Sequence, residues 1–154
     1  MSIPVGVIGT GHLGSLHAKM YAQIPTVTLA GVYDEDPARA AAVAAECGTR
    51  VFASLDELFG SVRAASIVTP TKTHAQIALA AMDKGIHLFI EKPITTTIDE
   101  ARAVADLAAR RNLKVQVGHI ERFNPAILAL EKYDLKPMFV ESHRLAQFNP
   151  RGTD

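Results

Sequence analysis

The sequence predicts an α/β fold, a doubly wound parallel sheet followed by the start of a truncated second α+β domain. Three observations carry this expectation: short apolar runs alternate with helical patterns up to residue 117, a Gly-x-Gly-x-x-Gly turn follows the first run, and the rhythm breaks after Gly118. Alternating strand and helix patterns mark βαβ units, whose strands are buried on both faces by the crossover helices.

The first run, Ile3-Pro4-Val5-Gly6-Val7-Ile8, reads as a fully buried strand, and Gly9-Thr10-Gly11-His12-Leu13-Gly14 turns it into a helix near 13–22. In such a turn Gly9 makes the tight bend, Gly11 lets the backbone approach a pyrophosphate, and Gly14 lets the helix pack closely on the strand, with Thr10, His12 and Leu13 along the same cradle. The helix aims unpaired N–H groups and the positive end of its dipole at the anion, an effect of about 0.3–1 kcal/mol per charge. The second strand, 27–33, ends at Asp34, where the dinucleotide fingerprint requires a carboxylate for the adenosine ribose. Asp34, Glu35 and Asp36 together would repel a 2′-phosphate of charge about −2, which points to NAD over NADP. Asp36-Pro37 also suits an N-cap with proline at the first position of a helix over 37–46. Both roles are compatible, with Asp36 capping and Asp34 binding.

A short strand follows at 50–52, then a capped single turn from Ser54, a buried strand over 65–68 and a helix over 73–84 that Gly85 stops. A strand at 87–90, a capping box at Thr97-Ile98-Asp99-Glu100 opening a helix to about Arg111, and a return strand at 114–117 bring the expected sheet to six strands. After Gly118, Asn124-Pro125 opens a helix to about Tyr133, residues 138–145 read as a strand with no partner in the earlier rhythm, and 147–154 form a polar extended stretch. The expected division is a dinucleotide-binding domain over 1–120 and, over 121–154, a connecting helix and the start of a second domain cut short.

At 154 residues the chain suffices for one well-cored domain. Its 16 basic and 16 acidic residues cancel, and no basic block interleaved with aromatics occurs, so neither nucleic acid nor a membrane surface is an expected partner. The apolar stretches are strand-length or interrupted by charge and no basic leader precedes them, which predicts a soluble, cytoplasmic protein. The single cysteine, Cys47, excludes an intrachain disulfide and reads as structural. His12 and His17 lie five apart, a spacing that does not share one helical face, so no metal site is expected. His87 and His143 fall outside the expected site.

Two further loops sit at carboxyl ends of strands, where open α/β sheets bind ligands: Thr69-Pro70-Thr71-Lys72-Thr73-His74 and Glu91-Lys92-Pro93. Oxidising an alcohol passes a hydride to nicotinamide while the hydroxyl loses a proton, and a compact cation such as Lys92 beside that oxygen stabilises the developing alkoxide. The other reading of Lys92 is a solvated turn lysine, which its position after the fifth expected strand disfavours. Glu91 is placed to orient either Lys92 or the nicotinamide ribose, and Pro93 stiffens the turn.

With these two loops the chain resembles the glucose-fructose oxidoreductase and inositol dehydrogenase family, whose Rossmann half carries a Thr-Pro-x-x-x-His loop and a Glu-Lys-Pro loop. The resemblance covers essentially the whole chain. Val117-Gly118-His119-Ile120-Glu121-Arg122-Phe123-Asn124-Pro125 is similar to members that oxidise nucleotide-linked amino sugars, such as UDP-N-acetylglucosamine 3-dehydrogenases. The resemblance implies an NAD-dependent dehydrogenase acting on a sugar, polyol or sugar nucleotide, with Lys92 catalytic and the Lys92–Pro93 bond often cis. It implies that Thr69, Pro70, Thr71 and His74 lie along the cofactor, with Glu91, Lys92 and Pro93 at its reactive end. Thr73 and His74 read equally well as an ordinary helix start. It implies that Arg122 and Asn124 reach the substrate side; Arg122 has a structural reading as well, paired with Glu121 or a helix end, and His119 after a glycine fits a ligand or a proton carrier.

The family's acid–base histidine belongs to a second domain beyond Asp154, so the chain is expected to bind NAD without turning substrate over. A full-length protein is expected to be a homo-oligomer. Two rival expectations remain: a dinucleotide-sensing regulatory module without chemistry, which needs no cation at the reactive end, and an assembly piece that pairs through its 138–145 edge.

Overall fold

The computed structural model describes residues 2–143 and 145, which divide into two compact units, 1–118 and 119–154. The first unit holds five parallel strands, β1 (Ile3–Ile8), β2 (Val27–Tyr33), β3 (Ala64–Ile67), β4 (His87–Ile90) and β5 (Val115–Val117), in the order β2-β1-β3-β4-β5. The chain leaves β1 in one direction to form β2 and returns past it to form β3, so the sheet reverses its winding between β1 and β3. That reversal opens a crevice outside the carboxyl ends of the two strands.

Five helices cross between the strands: α1 (His12–Gln23), α2 (Pro37–Cys47), α3 (Leu55–Phe59), α4 (Thr71–Asp83) and α5 (Ile98–Arg111). Strand side chains alternate between faces, so Val7 and Val32 pack with Ala18, Ala40, Val43 and Ala44 of α1 and α2 on one side. Ile8, Ala65, Ile67, Leu88 and Ile90 pack with Leu58, Ile77, Ala81, Met82 and Val104 of α3, α4 and α5 on the other. The alanine-rich helix faces let these helices lie close to the sheet. Side-chain caps fix where α2 and α5 begin: the Asp36 carboxylate accepts from the N–H groups of Ala38 and Arg39 at α2, and Thr97 and Glu100 form a reciprocal capping box at α5.

The expected six strands are five. Residues 50–52 make only an isolated bridge between Val51 and Val32, although Val32 N–H donates to the Arg50 carbonyl and Phe52 N–H to the Val32 carbonyl. Ser54, the next position on the side facing β2, is already the N-cap of α3, and the Ala53 N–H on the other side goes to the Glu57 carboxylate at 2.8 Å, so the chain turns into a helix after one pair.

In the second unit a 3-10 turn over Ile120–Phe123 leads to α6 (Pro125–Leu128). The helix expected to reach Tyr133 ends four residues in, because it buries no residue and a short helix without a packed face gains little from propagation. Residues 138–143 form no strand: their backbone finds no partner strand among the described residues, and Met138, Phe139 and Val140 are exposed. The polar extended stretch expected over 147–154 lies outside the described residues.

Candidate dinucleotide site

Four strand ends line up along one edge of the first unit, each with a loop that the sequence singles out. Taken across the sheet, Asp34 follows β2, the glycine turn follows β1, Thr69 follows β3 and Glu91 follows β4. The ladder runs into the loops: Gly9 N–H donates to the Tyr33 carbonyl, Val68 N–H to Ile8, Glu91 N–H to Ile67 and Gly118 N–H to Ile90.

The three glycines of the turn differ. Gly9 has φ of 89° and a side chain there would sit 2.6 Å from the Val68 carbonyl oxygen. A side chain at Gly14 would fall 1.8 Å from the Gly9 carbonyl oxygen, so the helix cannot approach the turn with anything larger. Gly11 has ordinary extended backbone, φ −63° and ψ −166°, and a side chain there would meet no atom of the chain within 4 Å. The chain itself therefore does not require glycine at position 11, and the space beside it is open to a ligand. No side chain caps α1 and its first turn carries no acidic residue, so its leading N–H groups point at that space unmatched by protein charge. His12 and Leu13 are exposed in this first turn.

Asp34 is locked to the glycine turn. One carboxylate oxygen accepts both the Thr10 backbone N–H at 2.6 Å and the Thr10 hydroxyl at 2.9 Å, and the other accepts the Asp36 N–H at 2.9 Å. Burial pushes the Asp34 carboxyl up, but the hydrogen bonds from Asp36 and Thr10, with the Arg39 guanidinium beside it, together hold it below its usual value. It is ionised near neutrality, with lone pairs left to accept hydroxyl donors. These residues fit the adenosine and pyrophosphate parts of a dinucleotide.

At the other end of the row the Lys92–Pro93 bond is cis, and Lys92 is exposed with no ion pair among the described residues. Glu91 is 8% exposed; its carboxylate accepts from its neighbour Lys92 N–H at 3.1 Å and contacts His17 Nε2 at 3.2 Å. A side chain at Gly118 would lie 2.7 Å from the Glu91 carboxylate, so glycine at the end of β5 leaves that carboxylate its room.

His74 does not present a ring nitrogen to the open crevice. It is 1% exposed, with Nδ1 3.0 Å from the Pro93 carbonyl oxygen and Nε2 2.8 Å from the Thr69 carbonyl oxygen, and so ties the two loops together from behind. Thr69 accepts from the Thr73 hydroxyl at 2.8 Å, Pro70 precedes α4, and Thr71 opens it two residues earlier than its sequence pattern suggests. In the second unit His119 and Arg122 are exposed, while Asn124 caps α6 by accepting the Ala126 N–H and donates to Glu121 at 2.8 Å. Asn124, not Arg122, is therefore the partner of Glu121 among the described residues.

Sequence reasoning missed His17, Tyr21 and Ser66. His17 Nδ1 lies 3.2 Å from the Ser66 hydroxyl, which lies 2.8 Å from the Tyr21 hydroxyl, all on the α1 side of the sheet. The signal was present: His17 and Tyr21 are four apart, on one helical face, and Ser66 is a lone polar residue in an apolar strand.

A sequence model of the oxidoreductase family described as having an NAD-binding Rossmann fold matches residues 3–119. A UDP-N-acetylglucosamine 3-dehydrogenase of Acidithiobacillus ferrooxidans is 49% identical over 150 residues, covering 97% of this chain and 47% of the relative. An inositol 2-dehydrogenase of Rubrobacter xylanophilus is 35% identical over 134 residues, covering 84% of this chain and 39% of the relative. The chain thus spans less than half the length of these relatives. Among solved structures, the Acidithiobacillus ferrooxidans enzyme superposes with a TM-score of 0.92 over the whole of this chain and 51% of its own, at 47% identity. GenD2 from gentamicin A biosynthesis, solved in complex with NAD, superposes with a TM-score of 0.82 over 85% of this chain and 38% of its own, at 29% identity.

Proposed function

The chain belongs to the GFO/IDH/MocA oxidoreductase family, with its NAD-binding Rossmann fold, and on that premise we propose that it is the cofactor half of a dehydrogenase acting on a CH–OH group of a sugar, polyol or sugar nucleotide. The observation that carries this reading is the row at the strand ends: a carboxylate, an open glycine cradle and an exposed lysine follow β2, β1 and β4 of one sheet. Bound along that row, nicotinamide supplies a hydride acceptor. Asp34 accepts the ribose hydroxyls of the adenosine half, and the Gly11 backbone and the start of α1 receive the pyrophosphate. Lys92 lies at the reactive end, where its cation stabilises the alcohol oxygen as its proton leaves.

We assign the proton acceptor and the floor of the substrate pocket to the part of the relatives' length that this chain does not span. Among substrates, the higher identity to a UDP-N-acetylglucosamine 3-dehydrogenase favours a nucleotide-linked amino sugar over an inositol. For the substrate side we propose His119, Arg122 and Asn124, on the motif they form in the sequence; within its own unit Asn124 also caps α6.

The test joins this chain to the second half of the Acidithiobacillus ferrooxidans relative and follows NADH formation with UDP-N-acetylglucosamine and with inositol. We expect turnover of the sugar nucleotide by the joined protein and none by the chain alone. Lys92→Ala in the joined protein should lower the rate by about a hundred- to a thousand-fold. Full turnover by the Lys92→Ala protein would contradict the role given to Lys92.

A further inference from the structure

We propose that His17 is a positioning residue for Glu91, held in one tautomer by Tyr21 and Ser66, and that through it α1 fixes the carboxylate at the nicotinamide end of the cofactor row. The inference rests on the dinucleotide reading given above and assigns a role to residues outside the glycine and lysine motifs.

With a neutral ring and an ionised carboxylate the hydrogen bonds run in a single direction. An ionised carboxylate only accepts, so the His17 Nε2, 3.2 Å from Glu91 Oε1, carries the proton and donates it. In the neutral ring Nδ1 is then an acceptor and needs a donor, which the Ser66 hydroxyl supplies at 3.2 Å. Ser66 has one proton and has given it to His17, so its oxygen accepts from the Tyr21 hydroxyl at 2.8 Å. In that arrangement every donor in the chain Tyr21, Ser66, His17, Glu91 finds one acceptor, and while the ring is neutral, reversing the Ser66–Tyr21 link would leave the Ser66 oxygen facing a second acceptor. The network is shielded: Ser66 is fully buried, the His17 and Glu91 side chains are 18% and 11% exposed, and the His17 ring packs edge-on against Phe89 with centroids 5.2 Å apart. Second hydrogen bonds of this kind fix the tautomer and orientation of a histidine.

Glu91 is thus held from two directions. His17 holds one oxygen from α1 and the Lys92 N–H holds the other from its own loop, while Gly118, where any side chain would strike the carboxylate, leaves it the room to sit there. A residue serving only to stabilise the core would not need its acceptor kept at a strand end beside an exposed lysine. By the sheet order, the β4 end lies on the far side of the glycine turn from Asp34. A dinucleotide that crosses the crevice with its pyrophosphate on α1 therefore lays its second ribose toward Glu91. Adenosine diphosphate, which stops at the pyrophosphate, does not reach it.

That difference gives the test. NAD and ADP are titrated calorimetrically into the 154-residue chain and into its His17→Phe, His17→Gln and Ser66→Ala forms, with thermal melting of each. His17→Phe should weaken NAD by about tenfold, the loss of one charge-assisted hydrogen bond, and leave ADP within about twofold. His17→Gln, whose amide can donate in place of Nε2, should bring NAD back to within about threefold of the parent, and Ser66→Ala, which frees the tautomer while removing only a small buried hydroxyl, should weaken NAD alone. Equal loss of NAD and ADP in the folded variants, or NAD binding by His17→Phe at the parent level, overturns the inference. A parent chain that binds ADP but gains nothing from the nicotinamide half overturns it while leaving the adenosine reading intact. A parent chain that binds neither nucleotide overturns the dinucleotide reading and this inference with it.

Discussion

Thr10 gives both of its donors, backbone N–H and hydroxyl, to a single oxygen of Asp34, at 2.6 and 2.9 Å across 24 residues of sequence. The bond joins the loop that would hold the phosphates to the strand end that would hold the ribose, so the spacing between those two parts is fixed before a ligand arrives. Preorganisation of this kind lowers the ordering cost of binding.

The Asp34 carboxylate should therefore decide between the two nicotinamide cofactors. Asp34→Ala removes the group that accepts ribose hydroxyls and the charge that repels a 2′-phosphate, while Arg39, 4.0 Å from Asp34, stays in place. We expect NAD to weaken by about ten- to a hundredfold in this variant, as befits hydrogen bonds to a charged group, and the preference over NADP to vanish. Parallel titrations with NAD and NADP check this; an undiminished preference would move cofactor choice elsewhere.

The same carboxylate sets a pH dependence. Its folded value lies below the ordinary 3.8, so its contribution to stability is fully present above that value and is lost as pH falls through the folded value. The melting difference between the parent chain and Asp34→Ala should stay flat from about pH 8 to about pH 5 and shrink below about pH 4. A difference that grows on acidification would have the opposite sign and would contradict the hydrogen-bonding account.

Two glycines of one turn should respond in opposite ways. Gly14→Ala places a methyl 1.8 Å from the Gly9 carbonyl oxygen and should lower the melting temperature sharply, because backbone must move. Gly11→Ala meets no atom of the chain at ordinary φ and should keep or raise stability, by up to about 1 kcal/mol, yet lose NAD affinity because the methyl stands in the open cradle. Melting curves and NAD titration of the pair separate a glycine kept for the fold from one kept for the ligand.

Cys47 should be a slow nucleophile. Burial pushes its thiol above the ordinary 9.0 and Glu46 adds to the shift, so little thiolate exists near neutrality. Its alkylation by iodoacetamide at neutral pH should be slower than that of a free cysteine, and should accelerate as pH rises past about 9.

Much of the first unit was legible because its determinants are local. The periodicity of 3–8 and 37–46, the Asp36 and Thr97 caps and the glycine spacing each depend on a few neighbouring residues, and the structure keeps them. The errors fall where the answer lies in a distant partner. Residues 50–52 have strand composition, but the chain turns into α3 at Ser54 after a single bridge to Val32. Residues 138–143 have strand composition as well and pair with no strand among the described residues. The His17 network joins positions 17 and 21 of one helix, 66 of a strand and 91 of a loop, so the i,i+4 spacing shows only its first pair and the contacts to 66 and 91 need the fold. His74 shows the reverse: its motif position suggested an outward ligand, and only the fold shows both ring nitrogens turned to backbone carbonyls.

Calorimetric titration of the unmodified chain with NAD and then NADP shows whether the row from Asp34 to Glu91 is a dinucleotide site. One NAD should bind per chain, with NADP weaker by about tenfold or more. Absence of binding by either cofactor, or a preference for NADP, would mean that the row does not hold NAD.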